Sequence, residues 1–223
     1  MTRVYWADVS PLCDDTIFEA CRQRLPEQRL QKLQKLRHRQ DKNLSIASWL
    51  VLSEALKGFP NYNGNEDIII QKNGKIMFAD NPCVHFNISH SGDVAMCAVS
   101  DVTVGVDVQL ICDFKEKICR RYFLPREADF VLKEPDSSKR QSKFFDIWTL
   151  KEAYAKMTGG GLGEFRKFEI NPACKTHVRS DGIVADVSFR QFDIPGYKTA
   201  VCVRSGEKDF DFKRINLIKL LIN

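Results

Sequence analysis

Asp107 lies in the stretch VGVDVQ, residues 104–109, and further along the chain Trp148, Glu152 and Lys156 recur every four positions in WTLKEAYAK. In the first stretch the valines alternate with Gly105, Asp107 and Gln109, so a strand would bury Val104, Val106 and Val108 and present Asp107 and Gln109 on the other face. Aspartate is disfavoured in strands, so a particular task must hold one there. In the second stretch a helix stacks ring, carboxylate and ammonium along one stripe. A strand carboxylate and a helix carboxylate brought together form a hard oxygen site suited to Mg²⁺, and a lysine one turn on suits a phosphate. Taken singly, these groups have plainer readings: Glu152 and Lys156 as a surface ion pair, Asp107 as an edge residue, His90 as a solvated imidazole.

The surrounding patterns say what must position these groups. Residues 45–59 read as a mostly buried helix ended by Gly58 and Pro60. A polar loop, NYNGNED, leads to IIIQKNGKIMF, a hairpin turning at Asn73-Gly74. HFNISHSGD reads as a loop of small polar groups feeding a strand at 94–99. The second half repeats the plan, with a helix at 142–157, a glycine-rich turn at 159–163, strands at 165–170 and 182–192, and a final strand at 197–204. AMCAVS at 95–100 and AVCVRS at 200–205 echo each other. The expectation is two pseudo-symmetric α+β halves, 1–101 and 102–223, with the ligand site in the cleft between them.

With 43% hydrophobic and 28% charged residues the composition is that of an ordinary globular protein. The start lacks a secretion pattern and no stretch reaches the roughly 18 unbroken apolar residues of a membrane span, so the cytoplasm is expected. The cysteines at 13, 21, 83, 97, 112, 119, 174 and 202 show no zinc spacing and are expected to be reduced core residues. Eight Lys/Arg against two acids between Arg22 and Lys42 suit an anionic partner, or a solvated helix face with Leu25, Leu30, Leu33 and Leu36 inside. No GxSxG elbow, HExxH or phosphate-binding loop sequence occurs.

FNISHSGD at 86–93, GVDVQ at 105–109, FFDIWTLKEAYAK at 144–156 and GGGL at 159–162, in this order, resemble the 4′-phosphopantetheinyl transferases of the surfactin-synthetase-activating type, over roughly residues 26–203. The resemblance implies two pseudo-symmetric halves with the site at their junction. It also implies Mg²⁺-dependent transfer of the phosphopantetheine arm of coenzyme A to a serine of an acyl or peptidyl carrier protein, releasing adenosine 3′,5′-bisphosphate. Mn²⁺ is the alternative ion. Asp107 and Glu152 would hold the metal with Gln109 as a neutral contact. Glu152 would also serve as base, by way of a water, and Lys156 would bond a phosphate oxygen. Lys75, Ser89 and His90 match positions that grip the nucleotide end of coenzyme A.

The sequence departs from the family pattern at several positions. Gln109 replaces a second strand acid, Ile76 a proline, and Gly163-Glu164 a serine and the residues after it. Asn43-Leu44 stand where an arginine is usual, with Lys42 or Arg39 as substitutes. A basic cluster of Arg120, Arg121 and Arg126 around Tyr122, Phe123 and Leu124 suits an acidic helical carrier, or equally a helix with one buried face. A monomer is expected, and neither membrane nor nucleic acid as partner. The rival readings are a catalytically silent relative that keeps coenzyme A and a basic nucleic-acid-associated protein.

Overall fold

The structure, a computed structural model, describes residues 1–64, 67–71, 74–171, 177–179, 186–204 and 209–222, with the strand alone for 177–179. Strand β1 (Thr2–Asp8) opens the chain, followed by α1 (Asp15–Arg22), whose first amides are capped by the Asp14 carboxylate. Helices α2 (Glu27–Gln34) and α3 (Arg39–Leu56) lead to a small hairpin of β2 (Ile68–Ile70) and β3 (Ile76–Phe78). A second hairpin joins β4 (His85–Ser91) to β5 (Val94–Ser100). The other half holds β6 (Val104–Leu110), α4 (Glu116–Tyr122), α5 (Pro125–Leu132) and the long α6 (Ser137–Thr158). After it come β7 (Phe168–Ile170), β8 (His177–Arg179), β9 (Val187–Arg190), β10 (Tyr197–Arg204), β11 (Phe210–Arg214) and α7 (Lys219–Ile222).

Four layers result. Helix α3 covers one face of a sheet ordered β11-β1-β5-β4, and α6 covers one face of a sheet ordered β6-β10-β9. The remaining faces pack on each other through Val4, Met96 and Ala98 against Val106, Val108 and Val201. Strand β5 is therefore buried on both faces, and all seven of its residues are buried. The echoed sequences occupy corresponding places: β5 and β10 are interior strands of their sheets, and Cys97 and Cys202 lie in the core facing the long helix of their own half. This is the expected pair of α+β halves.

Several expectations need correction. Residues 85–91 form a strand rather than a loop, because the small polar groups that suggest a loop are satisfied by another strand, as described below. Helix α3 begins at Arg39 instead of residue 45, its polar first turn supported by Arg39 Nε donating to Asn43 Oδ1 at 3.1 Å. Helix α6 begins at Ser137 instead of residue 142, capped by Asp136 accepting from the Lys139 amide at 2.8 Å. The strand at 197–204 is not the last: β11 lies parallel beside β1, and Ile215 and Leu217 enter the first core, so the span 102–223 returns to the first half. Residues 182–185 of the expected strand, the hairpin's Lys72 and Asn73, and Cys174 lie outside the described residues. The described cysteines are free, but only Cys21, Cys97, Cys119 and Cys202 are buried, whereas Cys13, Cys83 and Cys112 are exposed. Among the described residues no helix is long and apolar enough to cross a membrane.

Candidate active site

The edge strands β4 and β6 meet through side chains instead of a backbone ladder. Asn87 Oδ1, Ser89 Oγ and Ser91 Oγ, alternate residues on one face of β4, accept the Val106, Val108 and Leu110 amides at 2.9, 3.3 and 3.0 Å. Helix α6 crosses the other face of β6 at Gly105, where a Cβ would overlap the Ala153 carbonyl and the Met157 amide. Only glycine permits that approach. It brings Glu152 and Lys156 beside Asp107, two residues on from the crossing. Trp148 holds the helix from the side, stacked on Phe144 and edge-on to Phe165.

At the crossing the Asp107 carboxylate is buried and accepts three donors. Its Oδ1 takes the Lys156 ammonium at 2.7 Å and the Ser89 hydroxyl at 2.8 Å, and its Oδ2 takes the Gln109 amide at 3.2 Å. Lys156 also donates to Ser89 Oγ at 2.9 Å. Glu152 is half-buried and has no hydrogen bond or ion pair among the described residues. Burial, and then the charge of Asp107, push its carboxyl up to about 6 against the pull of Lys156. A cavity of about 280 Å³ opens here, lined among others by Lys75, Asn87, Glu152, Lys156 and Gly159. Lys75 Nζ donates to the Met157 carbonyl at 2.5 Å on the last turn of α6, and burial lowers its amine.

Ile76 and Ile88 continue from this cavity into a second, of about 320 Å³, lined by Arg29, Lys32, Asp41, Ser45, Ser48 and His90. Burial lowers Arg29, and burial together with Arg29 lowers Lys32, so two cations are crowded into one hollow. His90 is likewise held low by desolvation, Lys156 and Lys32. Ser48 is buried, and its Oγ is the one fully buried side-chain polar atom among the described residues without a partner.

The structure thus places Glu152, Lys156 and Lys75 on the wall of the first cavity, joins Asp107, Ser89 and Gln109 to Lys156 by hydrogen bonds beside it, and places His90 at the second. It does not bring Arg39 or Lys42 to either. Arg39 is engaged elsewhere, donating to Asp15, the Leu12 carbonyl and Asn43 while lying over the Phe18 ring. Lys42 lines neither cavity. Arg29 and Lys32 line the second cavity instead, one helical turn apart on α2, a spacing visible within the basic run. Asn87, Ser48 and Gly105 are not marked by the sequence motifs; alternation of small polar residues in FNISHS is the available signal for the first. Phe123, expected as a surface anchor, is buried and stacks on Phe144.

Residues 103–202 match the family model described as the 4′-phosphopantetheinyl transferase superfamily. The chain is 38% identical over 146 residues to the 4′-phosphopantetheinyl transferase psf-1 of Bacillus pumilus, covering 62% of each chain. With the transferase gsp of Aneurinibacillus migulanus identity is 39% over 100 residues, 44% of this chain and 41% of the relative. The chain thus spans less than two thirds of these relatives. With Sfp of Bacillus subtilis identity is 25% over 202 residues, 88% of this chain and 89% of that one. The structure of Thermotoga maritima holo-[acyl-carrier-protein] synthase aligns over 48% of this chain and 65% of its own, with 22% identity and a TM-score of 0.37. The segment matched by the family model contains Asp107, Glu152 and Lys156, so the similarity to these transferases spans the residues gathered here.

Proposed function

We propose that this protein transfers the 4′-phosphopantetheine arm of coenzyme A to a serine hydroxyl of an acyl or peptidyl carrier protein, with adenosine 3′,5′-bisphosphate as the other product. The observation that carries this reading is an unpartnered Glu152 in one cavity with Lys156, whose ammonium is paired with the buried Asp107 carboxylate. The attacking serine oxygen forms a bond to the phosphorus bearing the pantetheine arm, the bridging P–O bond breaks, and the bisphosphate leaves with that oxygen. Glu152, unpartnered at the cavity, takes the serine proton by way of a water. Lys156 donates two hydrogen bonds among the described residues, which leaves one N–H for a phosphate oxygen. Arg29, Lys32 and His90 receive the 3′-phosphate end, and a phosphate there favours the imidazolium of His90.

The residues fit a divalent ion. Two carboxylates are close enough for Asp107 to raise Glu152, a repulsion that a cation reverses, and Gln109 adds a neutral amide. Mg²⁺ keeps several waters and is content with few protein oxygens. Asp107 and Glu152 would hold it, and when bound it supplies positive charge to the pyrophosphate. Incubation with coenzyme A, Mg²⁺ and an apo carrier should add one phosphopantetheine to the carrier in the mass spectrum. Coenzyme A binding without any mass gain would instead mark a silent relative.

A further inference from the structure

We infer that Trp49 positions Arg29 for the anionic end of coenzyme A, an inference that rests on the transferase reading of the site. The guanidinium lies over the Trp49 ring, 4.6 Å from its centroid, so helix α3 holds a side chain that α2 presents. Attraction between a cation and an aromatic face acts within about 6 Å and is strongest for tryptophan. Arg29 needs such a hold. It is half-buried, Lys32 stands one helical turn away with the same charge, and no hydrogen bond or ion pair reaches Arg29 among the described residues. Burial lowers its guanidinium with no acid to oppose the shift. How the cation is held decides what it can do. A carboxylate or carbonyl holds a guanidinium by its N–H groups and so spends them, as Asp15, the Leu12 carbonyl and Asn43 spend those of Arg39. A ring face holds it by charge, and the N–H donors stay available for a phosphate. Arg29, Lys32 and Ile76 line both the cavity beside His90 and a third, of about 570 Å³, walled by Trp49, Tyr62 and Ile68. Trp49 lines the third and not the second, so the ring holds Arg29 without entering the hollow that receives the phosphate.

Calorimetry with coenzyme A and with 3′-dephospho-coenzyme A tests this. Trp49→Leu should weaken coenzyme A about fivefold, the value of one half-buried cation–π contact, and leave 3′-dephospho-coenzyme A within about twofold of wild type. Trp49→Phe keeps an aromatic face and should recover most of the loss. In an Arg29→Ala background Trp49→Leu should cost coenzyme A nothing further, because the ring then has no cation to hold. Equal weakening of both ligands, equal losses in the Leu and Phe variants, or losses that multiply in the double variant would each mean that Trp49 only packs α3, and would overturn the inference. Failure of the wild type to bind coenzyme A would sink the transferase reading instead. The hold of the ring on Arg29 is then judged by ¹⁵N NMR, as it is if Trp49→Leu does not fold. The Arg29 Nε–H resonance, identified by its loss in Arg29→Lys, must be displaced by the indole ring current in the wild-type protein, and a resonance at the position of free arginine would overturn the inference.

Discussion

Helix α6 carries two lysine–carboxylate pairs little more than one turn apart, and they are opposites. Lys151 meets Glu127 at 2.9 Å with both side chains 0% exposed, whereas Lys156 meets Asp107 at 2.7 Å with the lysine 29% exposed. In the first pair Lys151 completes its valence on the Phe165 and Phe168 carbonyls at 2.6 and 2.8 Å, and Glu127 accepts the Leu124 and Ile170 amides at 2.7 and 2.6 Å. Burial pushes the Glu127 carboxyl up and the Lys151 amine down, each opposed by the other's charge. Nothing there is left for a ligand. In the second pair a neighbouring carboxylate, Glu152, is left over and a cavity adjoins it. Completeness distinguishes a bolt between α5, α6 and β7 from a site that can work.

The contrast can be broken by exchanging effects. Glu152→Gln should lower kcat for transfer by about 10³-fold, within the range for losing a general base, with the thermal midpoint not lowered. Glu127→Ala should leave Lys151 buried and unpaired and cost about 3–5 kcal/mol, read as an earlier denaturation midpoint with kcat per folded molecule nearly preserved. If Glu152→Gln unfolds the protein, or Glu127→Ala spares its stability, the two pairs do not divide the labour in this way. A smaller effect sharpens the nucleotide side: Arg29→Ala should raise KM for coenzyme A roughly tenfold, the value of one charged hydrogen bond, and change KM for 3′-dephospho-coenzyme A little.

The pH dependence is the finest probe. Glu152 is raised from 4.5 to about 6, so the folded chain holds its proton more tightly than the unfolded one. Stability contributed by that proton is present below about 4.5 and is lost as pH rises through about 6. Mg²⁺ binding needs the carboxylate, so magnesium titrations should show affinity climbing through the same window. A magnesium affinity flat between pH 5 and 7 would remove Glu152 from the metal site.

What the sequence made legible was local. VGVDVQ and WTLKEAYAK place Asp107, Glu152 and Lys156 on their faces by periodicity alone, and both elements are found as read. What it hid depends on partners far away in the chain. FNISHS reads as a loop until β6 supplies amides for Asn87, Ser89 and Ser91. Arg39 is as basic as Arg29, and only the fold shows that Asp15 and Leu12 claim it. Strand β11 could not be anticipated because the strand it joins is at the other end of the chain.

The seam between β4 and β6 also bears on solubility. An open sheet margin recruits foreign strands, and this protein has two such margins facing each other. By plugging one with the side chains of the other, Asn87, Ser89 and Ser91 deny any passing polypeptide the amides it would zip onto, so the residues that assemble the catalytic junction also guard the chain against self-association.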